Sequence, residues 1–292
     1  MSRQLFKLGT GVLTVCALIG TAGAADLRVP VKAPALVPLF NWTSCYIGGY
    51  VGGAWNERDA TFTDLGNSNF RAFSGGLVAG RLEGTHSWNT GLDSSFIGGG
   101  TLGCNWQPVG SPFVLGIEGE IGYLKLNGSA LDPLLSPTLP VTALRAAPDV
   151  VGTARIGDWY GMITGRLGYA AWDRFMIYAK GGAAFVPVRG SVVDGCNTGG
   201  IVCGNWTTST AVDDTLTTWT AGGGIEWAFG NNWTLKGEYM FIGLDHSSTS
   251  CNVALTPGGT VVPGGPFCFN HDFGGIHTAK VGLNYRFGPL FW

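Results

Sequence analysis

Residues 113–124 read FVLGIEGEIGYL. Phe113, Leu115, Ile117, Ile121 and Tyr123 share one parity, and Glu118 and Glu120 hold the other. Period-two alternation is the signature of a β-strand, because successive side chains point to opposite sheet faces. Such a strand has an oily face and a face carrying two carboxylates. Similar segments occupy 45–55, 95–106, 159–170, 175–185, 218–229, 233–242 and 276–287. Each spans ten to twelve residues, about twice a typical strand of a globular protein.

Parity separates the residue types in the same way each time. Trp159, Ile163, Leu167 and Tyr169 oppose Arg166; Phe175, Ile177, Ala179 and Phe185 oppose Lys180. Trp219, Ile225, Trp227 and Phe229 oppose Glu226; Trp233, Leu235, Tyr239 and Phe241 oppose Lys236 and Glu238. Val281, Leu283, Tyr285 and Phe287 oppose Lys280 and Arg286. A soluble barrel also alternates, with the oily face inward. Three features favour the reverse. Aromatic residues gather at both ends of the oily face, as two bilayer interfaces select. The segments match the ~9–11 tilted residues that cross the hydrocarbon. The charged face is crowded with Gly122, Gly168, Gly182, Gly222, Gly224 and Gly282, which leave room for long charged side chains.

Connections at 107–112, 171–174 and 230–232 are short, whereas 56–94, 125–158, 186–217 and 243–275 are long and rich in Gly, Pro, Ser, Thr and Asn. This alternation predicts an all-β fold: an eight-stranded antiparallel up-and-down transmembrane β-barrel with long extracellular loops. The stretch GGLVAGRLEG at 75–84 fits a hairpin or a short helix inside the first long connection.

Charged residues make up only 12% of the chain and the net charge is −2, so no basic field invites nucleic acid. Arg3 and Lys7, an apolar run and Thr21-Ala22-Gly23-Ala24 read as an export signal over 1–24. A Pro-rich periplasmic leader is expected over 25–41, and the outer-membrane barrel over 42–292. Export implies an oxidising compartment. Six cysteines follow the signal: Cys45, Cys104, Cys196, Cys203, Cys251 and Cys268. Their connectivity is open from sequence, though spacing favours Cys196–Cys203 and Cys251–Cys268. A zinc site is the rival, but no histidine stands at ligand spacing from either pair.

The start AADLRVPVKAP, then NWTSCYIGGYVGGAW, SFIGGGTLGCNWQ and the close KVGLNYRF resemble the alphaproteobacterial outer-membrane immunogenic protein family, surface antigens within the eight-stranded outer-membrane β-barrel superfamily. The resemblance covers about three quarters of the mature chain and is carried by the strands. It implies insertion by the outer-membrane assembly machinery. Gly282, Tyr285 and Phe287 are similar to the C-terminal strand signal that this machinery reads, although five residues follow, ending at Trp292. Cys45 and Cys104 stand where the family has aromatics, near the short-turn end of adjacent strands, and a third disulfide is the hypothesis there.

No catalytic constellation emerges. GGGTLG at 98–103 lies inside a strand rather than at a strand-to-helix turn, so it reads as small residues in the wall. His86, His246 and His271 sit in long connections and read as polar loop residues; a haemin-binding surface protein is the alternative they support, together with the resemblance. The strongest constellation is the charged face: Glu118, Glu120, Glu226 and Glu238 against Arg166, Lys180, Lys236, Lys280 and Arg286. Its structural reading is a charge-paired plug filling a narrow interior; its functional reading is a small passive porin. The expected protein is a structural, surface-exposed, non-enzymatic component of the bacterial outer membrane with no cofactor. Its expected partners are outer-membrane lipid, the assembly machinery, and a host or surface ligand met through the loops.

Overall fold

The structure, a computed structural model, describes residues 40–65, 86–131, 150–172, 174–196, 206–261 and 266–288. The chain divides into Met1–Pro38 and Leu39–Trp292, and all described residues belong to the second unit. The export signal, most of the leader, 75–84, Cys203 and Trp292 lie outside the described residues.

The fold is all-β, but the expectation of one eight-stranded up-and-down β-barrel whose strands are joined by long extracellular loops is corrected. The described residues form fourteen strands in two sheets. In order they are β1 (Ser44–Asn56), β2 (Ala60–Asp64), β3 (His86–Thr90), β4 (Ser95–Trp106), β5 (Phe113–Tyr123), β6 (Lys125–Leu131) and β7 (Val151–Gly157). Then come β8 (Tyr160–Trp172), β9 (Phe175–Cys196), β10 (Trp206–Ala228), β11 (Trp233–Ile242), β12 (His246–Asn252), β13 (Phe267–Phe273) and β14 (Ile276–Phe287). A ten-stranded sheet runs β10-β11-β14-β1-β4-β5-β8-β9-β7-β6, and β9 also pairs β10 along its whole length. The second sheet, β12-β13-β2-β3, is open and four-stranded.

Much of what sequence reading assigned to loops is therefore strand. The reason is visible along β9, a single strand of 22 residues. In its first half Ile177 is exposed and Lys180 buried; in its second half Val186, Val188 and Val192 are buried while Arg189 is exposed. The oily face crosses from outside to inside part-way along one strand. A search for aromatic alternation with one orientation misses the second half. Its outward positions include Arg189 and Ser191, residue types that also populate loops, yet its valines favour a pleated backbone.

The inversion defines two layers. In the first layer, exposed Ile47, Val51, Leu102, Ile117, Ile121, Ile163, Leu167, Ile225, Val281 and Leu283 cover the outside of the larger sheet. In the second, Phe62, Trp88, Leu126, Ile156, Val188, Val192, Phe269 and Phe273 are buried in a core between the four-stranded sheet and the outer ends of β6, β7, β9 and β10. Hydrogen bonds outside the ladders also tie the flanks of the small sheet to the larger one. Thr207 and Leu255 exchange backbone hydrogen bonds of 2.9 Å, and the amide of Asp93 donates to the carbonyl of Asn127 at 2.9 Å. Arg58, just after β1, grips Asp272 of β13 with two bonds of 3.0 and 3.1 Å. Two disulfides join directly opposed strand positions: Cys45–Cys104 across β1 and β4, and Cys251–Cys268 across β12 and β13.

Candidate functional site

The pleat of the larger sheet sends every second residue inward, and six strands deliver the carboxylates and their cations to one interior. Glu118 and Glu120 come from β5, Arg166 from β8, Lys180 from β9, Glu226 from β10, Lys236 and Glu238 from β11, Lys280 and Arg286 from β14; all are buried. Burying a charge is costly unless it is paired and hydrogen-bonded. Glu118 accepts bonds from Lys180 at 2.6 Å, from Lys236 at 3.1 Å and from the Tyr46 hydroxyl at 2.5 Å. Glu238 accepts from Lys180 at 2.9 Å, from Tyr178 at 2.9 Å and pairs Lys280 at 3.1 Å. Glu120 takes the Tyr160 hydroxyl at 2.7 Å and pairs Lys280. Glu226 takes Arg166 at 2.6 Å, Thr234 at 2.5 Å and Asn284 at 3.1 Å.

Four carboxylates thus meet four cations. Arg286 stands apart: it donates to the Ser44 hydroxyl at 2.8 Å and to the Asn41 carbonyl at 2.6 Å, and lies over the Phe40 ring at 4.4 Å. Sequence reading grouped it with the others by parity, which gives the face and not the height along it.

The tyrosines were missed as site residues. Tyr46, Tyr50, Tyr160 and Tyr178 are buried, and each hydroxyl reaches a carboxylate or another tyrosine. Their parity, opposite to Ile47 and Val51 in β1 and to Trp159 in the fourth segment, was the available signal. The glycines make room for them as well as for the charges. A Cβ on Gly122 would lie 2.1 Å from the Tyr50 hydroxyl, and one on Gly52 would meet the Ala279 carbonyl at 2.1 Å and the Lys280 Cβ at 2.9 Å.

Both ends of the interior are covered. At the short-turn end Trp42 is fully buried with Val114, Met176, Tyr178 and Ala228, and Phe40 packs against them. The Trp42 amide donates to the Gln107 side chain at 2.9 Å, tying this plug to the turn after β4. At the other end Tyr50, Ile97, Leu124, Tyr160, Met162, Met240 and Ile242 form a buried layer continuous with the outer core.

Metal binding fits this site poorly. Ligand oxygens of Glu118, Glu120 and Glu238 lie within 4.8 Å of one another, but Lys180, Lys236 and Lys280 already neutralise them. The histidines do not converge among the described residues. His271 is buried in the outer core, its Nε2 2.7 Å from the Ser250 hydroxyl. His277 stacks on Trp55 and bonds Tyr239 at 2.6 Å. His246 begins β12, and His86 begins β3 with its side chain outside the described residues. Cys196 ends β9, and its pairing with Cys203 falls outside them too. Of the residues expected to form the assembly signal, Gly282 faces inward against the Lys236 side chain, Tyr285 points outward and meets the Trp233 ring edge-to-face, and Phe287 ends β14 opposite Cys45.

Residues 41–287 match the outer membrane protein beta-barrel domain family. The chain belongs to this family. Among members of known description, it is 30% identical to the 31 kDa outer-membrane immunogenic proteins of Brucella melitensis biotype 1 and Brucella suis biovar 1 over 289 residues. That alignment covers 94% of this chain and 97% of each relative. Among solved structures, OprG of Pseudomonas aeruginosa is similar over 85% of this chain and 98% of its own, with 9% identity and a TM-score of 0.44. Family membership places the protein in the bacterial outer membrane as a non-catalytic component, so the exposed apolar belt of the larger sheet faces lipid.

Proposed function

We propose that the protein is a sealed, non-conducting surface scaffold: a lipid-embedded wall with a charge-paired interior that displays an outer β-layer to the surroundings. One observation carries the reading. Glu118 bridges Lys180 and Lys236 across the interior, with all three side chains at most 1% exposed. Trp42 below and the Tyr50–Ile97–Tyr160 layer above, all buried, flank the pairs at both ends and support this reading. An ion path needs groups that bind a solute weakly and release it; charges held by each other offer neither. The finer parts belong to the same reading: a signal over 1–24, a leader over 25–41, insertion through the strand holding Gly282, Tyr285 and Phe287, and ligand capture by the outer hairpins.

Conductance in planar bilayers tests it. The expected trace is flat at the single-channel level when heat-modifiable migration shows folded protein in the same preparation. Uniform, reproducible current steps that disappear when Lys180 is replaced by methionine would establish a porin instead. Haemin retention by the purified protein, unchanged in a His246→Ala/His271→Ala variant, is the outcome expected of a scaffold without a haem site.

A further inference from the structure

The outward face of the outer layer carries a groove that neither the wall nor the interior explains. Its volume is 570 Å³, within the range of about 300–1,000 Å³ usual for small-molecule sites. It runs across four neighbouring strands, β6, β7, β9 and β10. Two cross-strand rows line it. The first aligns Asn127, Arg155, Arg189 and Asp213; the second aligns Ser129, Thr153, Ser191 and Ala211.

The chemistry of these rows is specific. Arg189 donates to Asp213 at 3.0 Å and to Asp158 at 2.9 Å, and Asp158 also pairs Arg155. The Thr153 and Ser191 hydroxyls lie 2.6 Å apart. Donors and acceptors therefore alternate along the groove floor with almost no net charge. Asp93 at its edge tips the balance to negative. A phosphate or sulfate would find every arginine already engaged and a carboxylate beside it. An apolar ligand would find hydroxyls and charges. Polyhydroxylated rings match, because each sugar hydroxyl both donates and accepts, and planar arginine–carboxylate pairs present both partners side by side.

The position names the source. Asp158, which holds both arginines, immediately precedes Trp159, an exposed aromatic at the hairpin end of the lipid belt. Along β9 the outward parity runs from Ile177 through Phe185 to Arg189 and Ser191. Four residues separate Phe185 from Arg189, or about 13 Å of strand. Aromatic girdles lie at headgroup level, so the groove stands beside the first sugars of a glycolipid in the outer leaflet.

We propose that this groove binds uncharged saccharide units of the outer-leaflet glycolipid, fixing the protein laterally to its own membrane. The site acts in cis and adds a specific contact to the unspecific apolar belt.

The test uses full-length folded protein in detergent and native mass spectrometry with three probes: glycolipid bearing its core saccharide, the same glycolipid truncated to its lipid anchor, and the free core oligosaccharide. Wild type is expected to retain the intact glycolipid at least tenfold better than the truncated form. Two variants follow. Arg189→Ala/Asp213→Ala removes one pair without changing net charge, and Ser191→Tyr fills the groove. Both are on an outward face, and heat-modifiable migration checks their folding. Each should lose the tenfold preference, while Ser247→Tyr, on the outward face of β12, should keep it. Equal retention of intact and truncated glycolipid by wild type overturns the proposal. So does a preference undiminished in both variants, or binding of the free oligosaccharide without the membrane-anchored form. Bilayer conductance is unaffected by any of these outcomes, so this site and the sealed interior stand or fall separately.

Discussion

Replacing Glu118 by glutamine keeps the shape of the side chain and removes its charge. Glu118 accepts two bonds from Lys236 at 3.1 Å, one from Lys180 at 2.6 Å and one from Tyr46 at 2.5 Å. Lys180 would retain Glu238 at 2.9 and 3.1 Å. Lys236 would not be so placed: among the described residues its ammonium hydrogen-bonds Glu118 alone. The glutamine amide, a donor, would also face two ammonium groups. Removing one partner of a buried ion pair costs about 3–5 kcal/mol, because the other charge stays desolvated. Both side chains are at most 1% exposed, so solvent screening does not reduce this estimate. Reversible urea unfolding in lipid vesicles, followed by tryptophan fluorescence, measures the loss. A cycle with Lys236→Met isolates the pair. The double variant Glu118→Gln/Lys236→Met is expected to recover about 2 kcal/mol or more of the single variant's loss, since replacing both charges by neutral groups removes the stranded ammonium. A single variant within about 1 kcal/mol of wild type would falsify the stranded-charge reasoning. A double variant no more stable than the single one would do the same.

Acid should loosen the outer layer before the lipid-embedded one. Burial pushes the His271 imidazole down from 6.5 to about 4, and among the described residues its Nδ1, beside Phe62 and Gly190, meets no hydrogen-bond partner. The unfolded state binds the proton first, so stability is full above about pH 6.5 and falls as pH drops through about 4, by up to about 3 kcal/mol. Hydrogen exchange of β12 and β13 should quicken over that window in wild type and stay flat in His271→Phe; equal pH dependence in both would exclude His271 as the cause. Glycines facing opposite ways in β4 give a second contrast. A Cβ on Gly99 would meet the Ile121 carbonyl at 2.2 Å and the Tyr50 hydroxyl at 2.4 Å, whereas one on Gly100 meets only the Gly48 carbonyl at 3.6 Å. Gly99→Ala should lose heat-modifiable migration and Gly100→Ala keep it; normal migration of Gly99→Ala would show that the wall yields.

The sequence by itself determined the polarity of the membrane layer. Strand pleat makes parity a local property, so FVLGIEGEIGYL alone commits Ile117 and Ile121 to one side and Glu118 and Glu120 to the other. Partners were not legible in that way. Parity could not say that Glu118 takes Lys180 and Lys236, that Arg286 turns instead to Ser44 and Asn41, or that Trp42 closes the short-turn end. Those facts depend on register between strands as far as 242 positions apart in the chain, which no local pattern encodes. The outer layer was hidden for a different reason. Its alternation is present in Val186, Val188 and Val192, but with the opposite sense. Whether a valine face turns toward lipid or toward a core depends on where the strand leaves the bilayer, and only the assembled sheets fix that height. The groove is the clearest case: Ser129, Thr153 and Ser191 are unremarkable singly, and become a site because three separate strands pair them into one row.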